Sequence, residues 1–236
     1  MAYLMRVRLP DVPGTLGRLA AGLGAIDGDI RSVDVVDHSE SGVVVDDIVV
    51  DLPSGRLADA LITAAQEVEG VLVDSLRPFS GTVDRRGQVG MLADVAGRRR
   101  DPAASLAGMM DSLPRTMTAG WAVVLRTDPA SRRTTRLCAS AAAPEDDGRT
   151  LDTPPVTEPR ILDAETEHWI PESWTVMDSS LAATPIRGTD LTLVIGRPGG
   201  PDFLLSEVVH LGHLGTILGA FFGRQPPPGI SAGGAA

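Results

Sequence analysis

The stretch Tyr3-Leu4-Met5-Arg6-Val7-Arg8-Leu9-Pro10-Asp11-Val12-Pro13-Gly14-Thr15-Leu16-Gly17-Arg18-Leu19 decides how the first part of the chain is read. Its opening residues alternate polar and apolar with a period of two, the pattern of a strand. After Pro13 the apolar residues Leu16, Leu19, Ala20 and Leu23 recur at i, i+3, i+4 and i+7, the single stripe of an amphipathic helix. Asp11-Val12-Pro13-Gly14 is therefore a strand-to-helix hinge. A helix start leaves N–H groups unpaired and concentrates partial positive charge, so such a hinge suits a small anionic group.

Working outward, Gly24 and Gly28 end the helix and a second strand is expected from Ile30 to Asp37. A polar turn, His38 to Gly42, leads to a third strand, Val43 to Leu52, whose β-branched run suits burial on both faces. Beyond Pro53-Ser54-Gly55, a helix is expected with Leu57, Leu61, Ala64, Ala65 and Val68 on one side. Val71 to Leu76 supplies a fourth strand. The order β-α-β-β-α-β is that of the ferredoxin-like fold, an antiparallel four-stranded sheet with both helices on one face. Its other face and its strand edges are left open to a partner.

The hinge Asp11-x-Pro13-Gly14, followed by Leu16 and Leu19, resembles the signature of ACT domains, small regulatory modules that bind amino acids. The resemblance spans residues 3–77 and extends to Gly28-Asp29-Ile30. The segments Gly28 to Val36 and Val45 to Val50 look especially like the ACT domain fused ahead of some bacterial malic enzymes, although no malic-enzyme catalytic domain follows. The resemblance implies a homodimer with a ligand between subunits. The loop Asp11, Val12, Pro13, Gly14, Thr15 and Leu16 of one chain would face Asp29 and Ile30 of the other. Asp11 is suited to an α-ammonium, and the N–H groups near Gly14, Thr15 and Leu16 to an α-carboxylate. Asp29 stands where many members carry Asn, and a carboxylate there would repel the ligand's own. Two readings follow, a ligand site or a hinge that only folds the domain and pairs subunits.

The polar, Gly-containing segment 81–88 reads as a linker, separating an ACT-like domain at 1–80 from a second unit at 89–224. In that unit, Val89 to Met117 is helix-compatible with breaks at Asp101-Pro102 and Pro114. Trp121 to Leu125 and Arg136 to Ala142 form a strand pair, and Glu145 to Glu158 is loop. Leu181 to Ile186 and Leu191 to Ile195 form a hairpin, and a helix begins near Ser206. The run Leu193-Val194-Ile195-Gly196-Arg197, then Phe203, Ser206-Glu207 and an apolar helix to Phe222, resembles the end of a GAF domain. That resemblance implies an antiparallel sheet flanked by helices, a fold that elsewhere binds small metabolites or only dimerises. Trp169 and Trp174 are candidates for a pocket wall or for plain core. Gly212, Gly215 and Gly219 share one side of the last helix, and the sequence predicts a groove there packed by the segment from Val89 to Leu113.

The expected architecture is thus α+β, a ferredoxin-like ACT domain plus a GAF-like antiparallel-sheet domain, with a Pro/Gly/Ala-rich tail at 225–236. A net charge of -10 argues against a nucleic-acid surface. One cysteine, Cys138, excludes an internal disulfide or a multi-cysteine metal site and is read as a small core residue. Glu165-x-x-His168 and Glu207-x-x-His210 imitate di-iron spacing without the further glutamates such a site needs, so no metal is expected. No nucleophile elbow, phosphate loop or dinucleotide fingerprint occurs, so neither an enzyme nor a cofactor is expected. Residues 1–10 lack a signal-peptide core, and His213 and three glycines break the longest apolar run, Leu211 to Phe222. The expectation is a cytoplasmic, non-enzymatic regulator that binds a small molecule, an amino acid by resemblance, with no membrane partner. The alternative is a dimerising interaction scaffold with no ligand.

Overall fold

The opening alternation becomes β1 (Ala2–Pro10), and the hinge turns the chain into α1 (Thr15–Ala25). The structure is a computed structural model that describes residues 1–39, 42–79, 85–98, 100–151 and 156–223. The first unit continues through β2 (Asp29–Ser39), β3 (Val43–Asp51), α2 (Asp59–Gln66) and β4 (Leu72–Pro78). Its sheet has the order β2-β3-β1-β4, with every neighbouring pair antiparallel. This is the ferredoxin-like arrangement that the element order predicts.

The buried side of α1 is Thr15, Leu19 and Leu23, while Leu16 is left 38% exposed. The expected stripe thus keeps Leu19 and Leu23, with Thr15 in place of Leu16 at its start. The cause is the close packing of α1 on α2, where a Cβ at Gly22 would stand 3.2 Å from the Ala64 carbonyl oxygen. In α2 the buried residues are Leu61, Ala64 and Ala65, whereas Leu57 precedes the helix and is exposed. These helices cover Met5, Val7, Leu9, Val44, Ile48 and Val50 of the sheet.

The opposite face of the sheet carries the cross-strand pairs Leu4–Val49 and Arg6–Asp47. All four residues are buried at 3% exposure or less. The sequence expectation left this face open to a partner. It is covered instead by the second unit of the same chain, through contacts described below.

The second unit comprises α3 (Arg85–Gly97), α4 (Pro102–Thr116), β5 (Trp121–Thr127), β6 (Thr134–Ala139), β7 (Arg160–Leu162), α5 (Glu172–Thr175), β8 (Ser180–Pro185), β9 (Leu191–Arg197) and α6 (Leu205–Phe222). Its five strands run antiparallel in the order β6-β5-β9-β8-β7. One face packs on α3, α4 and α6 through Met91, Val95, Met109, Met110, Leu113, Leu211 and Leu214. The other lies under the long β6–β8 connection, with Trp121 and Trp174 at its centre. Burial on both faces explains why β5 reads as the continuous run Trp121-Ala122-Val123-Val124-Leu125.

Several expectations need correction. Residues 81–84 of the expected linker lie outside the described residues, but 85–88 are the first turn of α3. That turn is polar and hides from a periodicity test, because the buried stripe begins only at Met91. The 225–236 tail lies outside the described residues. Pro114 does not break α4, which runs on for two residues to Thr116 although the proline has no N–H to donate to the carbonyl one turn earlier. Asp101 caps that helix, accepting from the Ala104 N–H at 3.1 Å. Strand β7 and helix α5 arise inside a segment without clear periodicity. Cys138 is half-buried on β6, an edge strand, rather than fully in the core.

The glycine groove on α6 exists, but its occupant is different. A Cβ on Gly212 would run into Pro159, one on Gly215 would lie 2.5 Å from the Pro185 carbonyl oxygen, and one on Gly219 would meet the Arg187 carbonyl. The groove therefore holds Pro159 and the β8–β9 turn, not α3 or α4. The Arg187 N–H donates to the Gly215 carbonyl at 3.2 Å, so the turn is bonded to the helix backbone it touches. By length and apolarity alone α6 could cross a membrane, yet Val208, Leu211, Leu214 and Leu218 bury it against the sheet.

Candidate functional site

The hinge is built as the sequence suggests. Gly14 adopts φ 91°, a left-handed conformation open to glycine, and is the N-cap of α1 with no side-chain cap. The Arg18 N–H already bonds to the Gly14 carbonyl, so helix geometry leaves the N–H groups of Leu16 and Gly17 without an intrahelical acceptor. The Thr15 N–H is used locally, donating to the Val12 carbonyl at 3.2 Å, and Arg18 Nη2 donates to Thr15 Oγ1 at 3.1 Å. Val12, Pro13 and Gly14 are exposed, and Asp11, also exposed, lies 3.8 Å from His38 Nδ1.

Asp29 and Ile30 do not join the hinge within one chain. Asp29 pairs with Asp51 and Ile30 with Val50, at the end of the sheet where Ala2 also meets Asp51. The hinge follows Pro10, which pairs with Val43 at the other end. Eight residue steps at strand rise separate the two ends by about 25 Å. The two groups can meet only across two copies.

Asp46 lies between these regions. It pairs with Val7 on the helix-facing side of the sheet, is 2% exposed, and leaves Oδ1 without a hydrogen-bond partner. Burial pushes its carboxyl above the ordinary range, against the opposing pull of His38.

The residues missed by sequence reasoning lie at the seam of the two units. Arg6 grips Asp47 of its own sheet with both arms, Nε to Oδ1 at 2.7 Å and Nη2 to Oδ2 at 2.9 Å. The same guanidinium reaches across the seam to Glu207 at the start of α6, with Nη1 and Nη2 each 3.0 Å from a carboxylate oxygen. Arg197 at the end of β9 donates to Glu207 Oε1 at 2.7 Å and to Thr118 Oγ1 at 2.9 Å, and stacks 4.0 Å over the Phe203 ring. Glu207 also accepts from the Leu204 N–H at 2.9 Å. Burial alone would raise the Glu207 carboxyl, but hydrogen bonds from Arg6 and the charge of Arg197 hold it at about 2. Arg6 is pushed above its usual range despite burial, because Asp47 and Glu207 both pair with it. Arg77 of β4 points at the same cluster without a carboxylate of its own. It donates to the Thr118 carbonyl at 2.5 Å, leaves Nε unpartnered, and is lowered to about 10 by burial and by the charge of Arg197.

Beside this cluster lies a cavity of about 460 Å³ with walls from both units, including Asp34, Val35 and Asp47 on one side and Gln88, Met117, Thr118, Ser206 and His210 on the other. Gln88 and His210 bond across its rim at 2.9 Å. Thr118 holds φ 48°, a strained value for a β-branched residue, and Arg77 and Arg197 bond to its backbone oxygen. A faint sequence signal existed: Arg197 and Glu207 flank the turn that resembles the end of a GAF domain.

Trp169 and Trp174 form core rather than a pocket. Trp174 is 3% exposed, with its ring centroid 5.5 Å from that of Trp121 and 6.3 Å from that of Trp169. The hollow beside it is only about 20 Å³, room for roughly one water. Glu165 and His168 sit in an exposed turn where i, i+3 spacing carries no helical meaning. Among the described residues, no group of three or more His, Cys, Asp or Glu side chains is placed to hold a metal ion.

No protein-family model and no curated protein matches the chain. Among solved structures it is similar to the GAF domain of an Acinetobacter phosphoenolpyruvate-protein phosphotransferase, with 17% identity and a TM-score of 0.42, over 57% of this chain and 91% of that one. It is similar to the ACT domain of a Chlorobium tepidum GTP pyrophosphokinase, with 16% identity and a TM-score of 0.25, over 33% of this chain and 95% of that one. An unknown protein from Galdieria sulphuraria, 12% identical with a TM-score of 0.30, spans 89% of this chain and 87% of its own. At such scores the architecture rests on strand order and register, not on these likenesses.

Proposed function

We propose that this protein is a cytoplasmic, non-enzymatic regulator in which an ACT-like unit senses a small molecule, an amino acid, and a GAF-like unit responds. The ligand sits between two copies, with Asp11 taking the ammonium and the N–H groups of Leu16 and Gly17 taking the carboxylate. Asp29 and Ile30 come from the second copy, since one chain holds them about 25 Å from the hinge. Dimerisation uses the exposed edge of β2 or β4, because the open face of the sheet is already covered.

The observation that carries this reading is the buried Arg6–Glu207 pair across the seam, with Arg6 Nη2 3.0 Å from Glu207 Oε1. It ties the sheet that bears the hinge to the N-terminus of α6, the long helix of the second unit. A ligand that favours one arrangement of the first unit thereby biases the second. The scaffold reading, in which the hinge takes no ligand, is favoured by one observation only: the Thr15 N–H and hydroxyl are already engaged locally.

A thermal-shift screen of the twenty amino acids on the full chain tests the proposal. A ligand at ~100 times its dissociation constant adds about 2.7 kcal/mol of stability. Asp11→Ala should weaken that ligand by at least ~1.5 kcal/mol, the scale of a charge-assisted hydrogen bond. A flat screen, or a monomer in light scattering at high concentration, rejects the ligand reading and the dimer respectively.

A further inference from the structure

We propose that the cavity at the seam is a second binding site, independent of the hinge, and that it takes a small organic amine: a protonated ammonium on an apolar body. Its volume of about 460 Å³ falls in the range of small-molecule pockets. Neither unit forms it alone, since β2 and β3 supply one wall and α3, the end of α4 and the start of α6 supply the other.

The chemistry of the walls selects the ligand. Val36, Val89 and Met117 offer an apolar surface. The polar part carries the carboxylates of Asp34, Asp47 and Glu207, and among the described lining residues there is no arginine. Arg6 and Arg197 hold Asp47 and Glu207 from behind rather than lining the space. Each Asp47 oxygen accepts one bond from Arg6, and a carboxylate has about four acceptor sites, so acceptor capacity remains. Ser206 Oγ is buried in the wall with no hydrogen-bond partner. An ammonium brings three donors and no acceptor, which matches the spare acceptor capacity of Asp47 and Ser206 Oγ.

An anion is disfavoured on the same grounds. The N-terminus of α6 would ordinarily attract one, but Glu207 occupies that position and already accepts from the Leu204 N–H.

The test is calorimetric titration of the full chain with tyramine and 2-phenylethylamine, and with their carboxylate counterparts 4-hydroxyphenylacetate and phenylacetate. The amines should bind with a dissociation constant below ~1 mM, and the acids at least ~10-fold more weakly. Val89→Trp narrows the cavity from a wall position already 68% exposed, so the fold should tolerate it. It should weaken the amines at least ~10-fold while far-UV circular dichroism and melting stay close to the parent. Asp11→Ala should leave amine affinity unchanged, which separates this site from the hinge. The proposal is overturned if no amine binds at ~10 mM, if the acids bind as well as the amines, or if Val89→Trp leaves amine affinity intact. Amine binding lost in Asp11→Ala but kept in Val89→Trp overturns it too, and assigns the amine to the hinge.

Discussion

Replacing Glu207 by Gln should be among the most damaging conservative substitutions in this chain. The carboxylate accepts from Arg6 Nη1 and Nη2, both at 3.0 Å, from Arg197 Nη2 at 2.7 Å, and from the Leu204 N–H at 2.9 Å. The amide keeps one oxygen and presents N–H donors to guanidinium donors. Arg197, whose side chain is 0% exposed, is then left with carbonyl and hydroxyl oxygens and the Phe203 ring but no anion. Removing one partner of a buried ion pair costs ~3–5 kcal/mol. The titration of Glu207 gives a similar scale, because a fall from 4.5 to about 2 corresponds to about 3 kcal/mol of preference for the charged form in the fold. The pH dependence has a fixed sign. The folded-state value is depressed, so the stabilisation is complete above about 4.5 and is lost as pH falls towards about 2. Urea denaturation of parent and Glu207→Gln, at pH 7 and at pH 3, measures both effects. The gap should be large at pH 7 and narrower at pH 3. The variant should also unfold in two steps at pH 7, since the contact it loses joins two separate cores. Glu158→Gln is the control: its partner Arg187 is half exposed and Glu158 more so, and such pairs contribute under ~1 kcal/mol. A loss below ~1 kcal/mol for Glu207→Gln, or a gap that does not narrow at low pH, would refute the buried-clamp account.

The remaining predictions use the same logic. Gly215→Leu should lower stability by ~1–3 kcal/mol despite better helix propensity, because its Cβ would lie 2.5 Å from the Pro185 carbonyl oxygen; a raised melting temperature contradicts this. Asp46→Asn should raise the melting temperature at pH 7 and lose that advantage as pH falls, since burial raises the folded-state value of the acid and penalises its ionised form only above the ordinary range; equal melting at both pH values contradicts it. Arg77→Met should be neutral or stabilising by about 1 kcal/mol in urea unfolding, because the guanidinium is buried without a carboxylate and the Thr118 carbonyl keeps its bond from Arg197; clear destabilisation would show Arg77 to be an essential member of the cluster.

The sequence by itself determined the elements and their order in the first unit. Strand alternation at Tyr3 to Leu9, the Pro13-Gly14 hinge and the β-branched run of β3 are local signals, and local sterics and periodicity are enough to read them. The paired strands β5–β6 and β8–β9 and the close approach along Gly212, Gly215 and Gly219 were legible for the same reason. Leu16 was assigned to the wrong face because the inward side of α1 is set by the fit of Gly22 against α2, a contact between residues distant in the chain. The first turn of α3 was read as linker because it is polar and contains glycine, and the buried stripe of the helix begins only at Met91. The seam itself was not legible. Arg6 and Glu207 are 201 residues apart, and as single residues each reads as an ordinary surface charge. Only folding brings them to 3.0 Å and strips their water, and burial turns a pair of modest value in solvent into a clamp between two units. The cavity beside them has the same origin. It is a gap between two packed bodies, and no periodicity in either one encodes its volume or the charge of its walls.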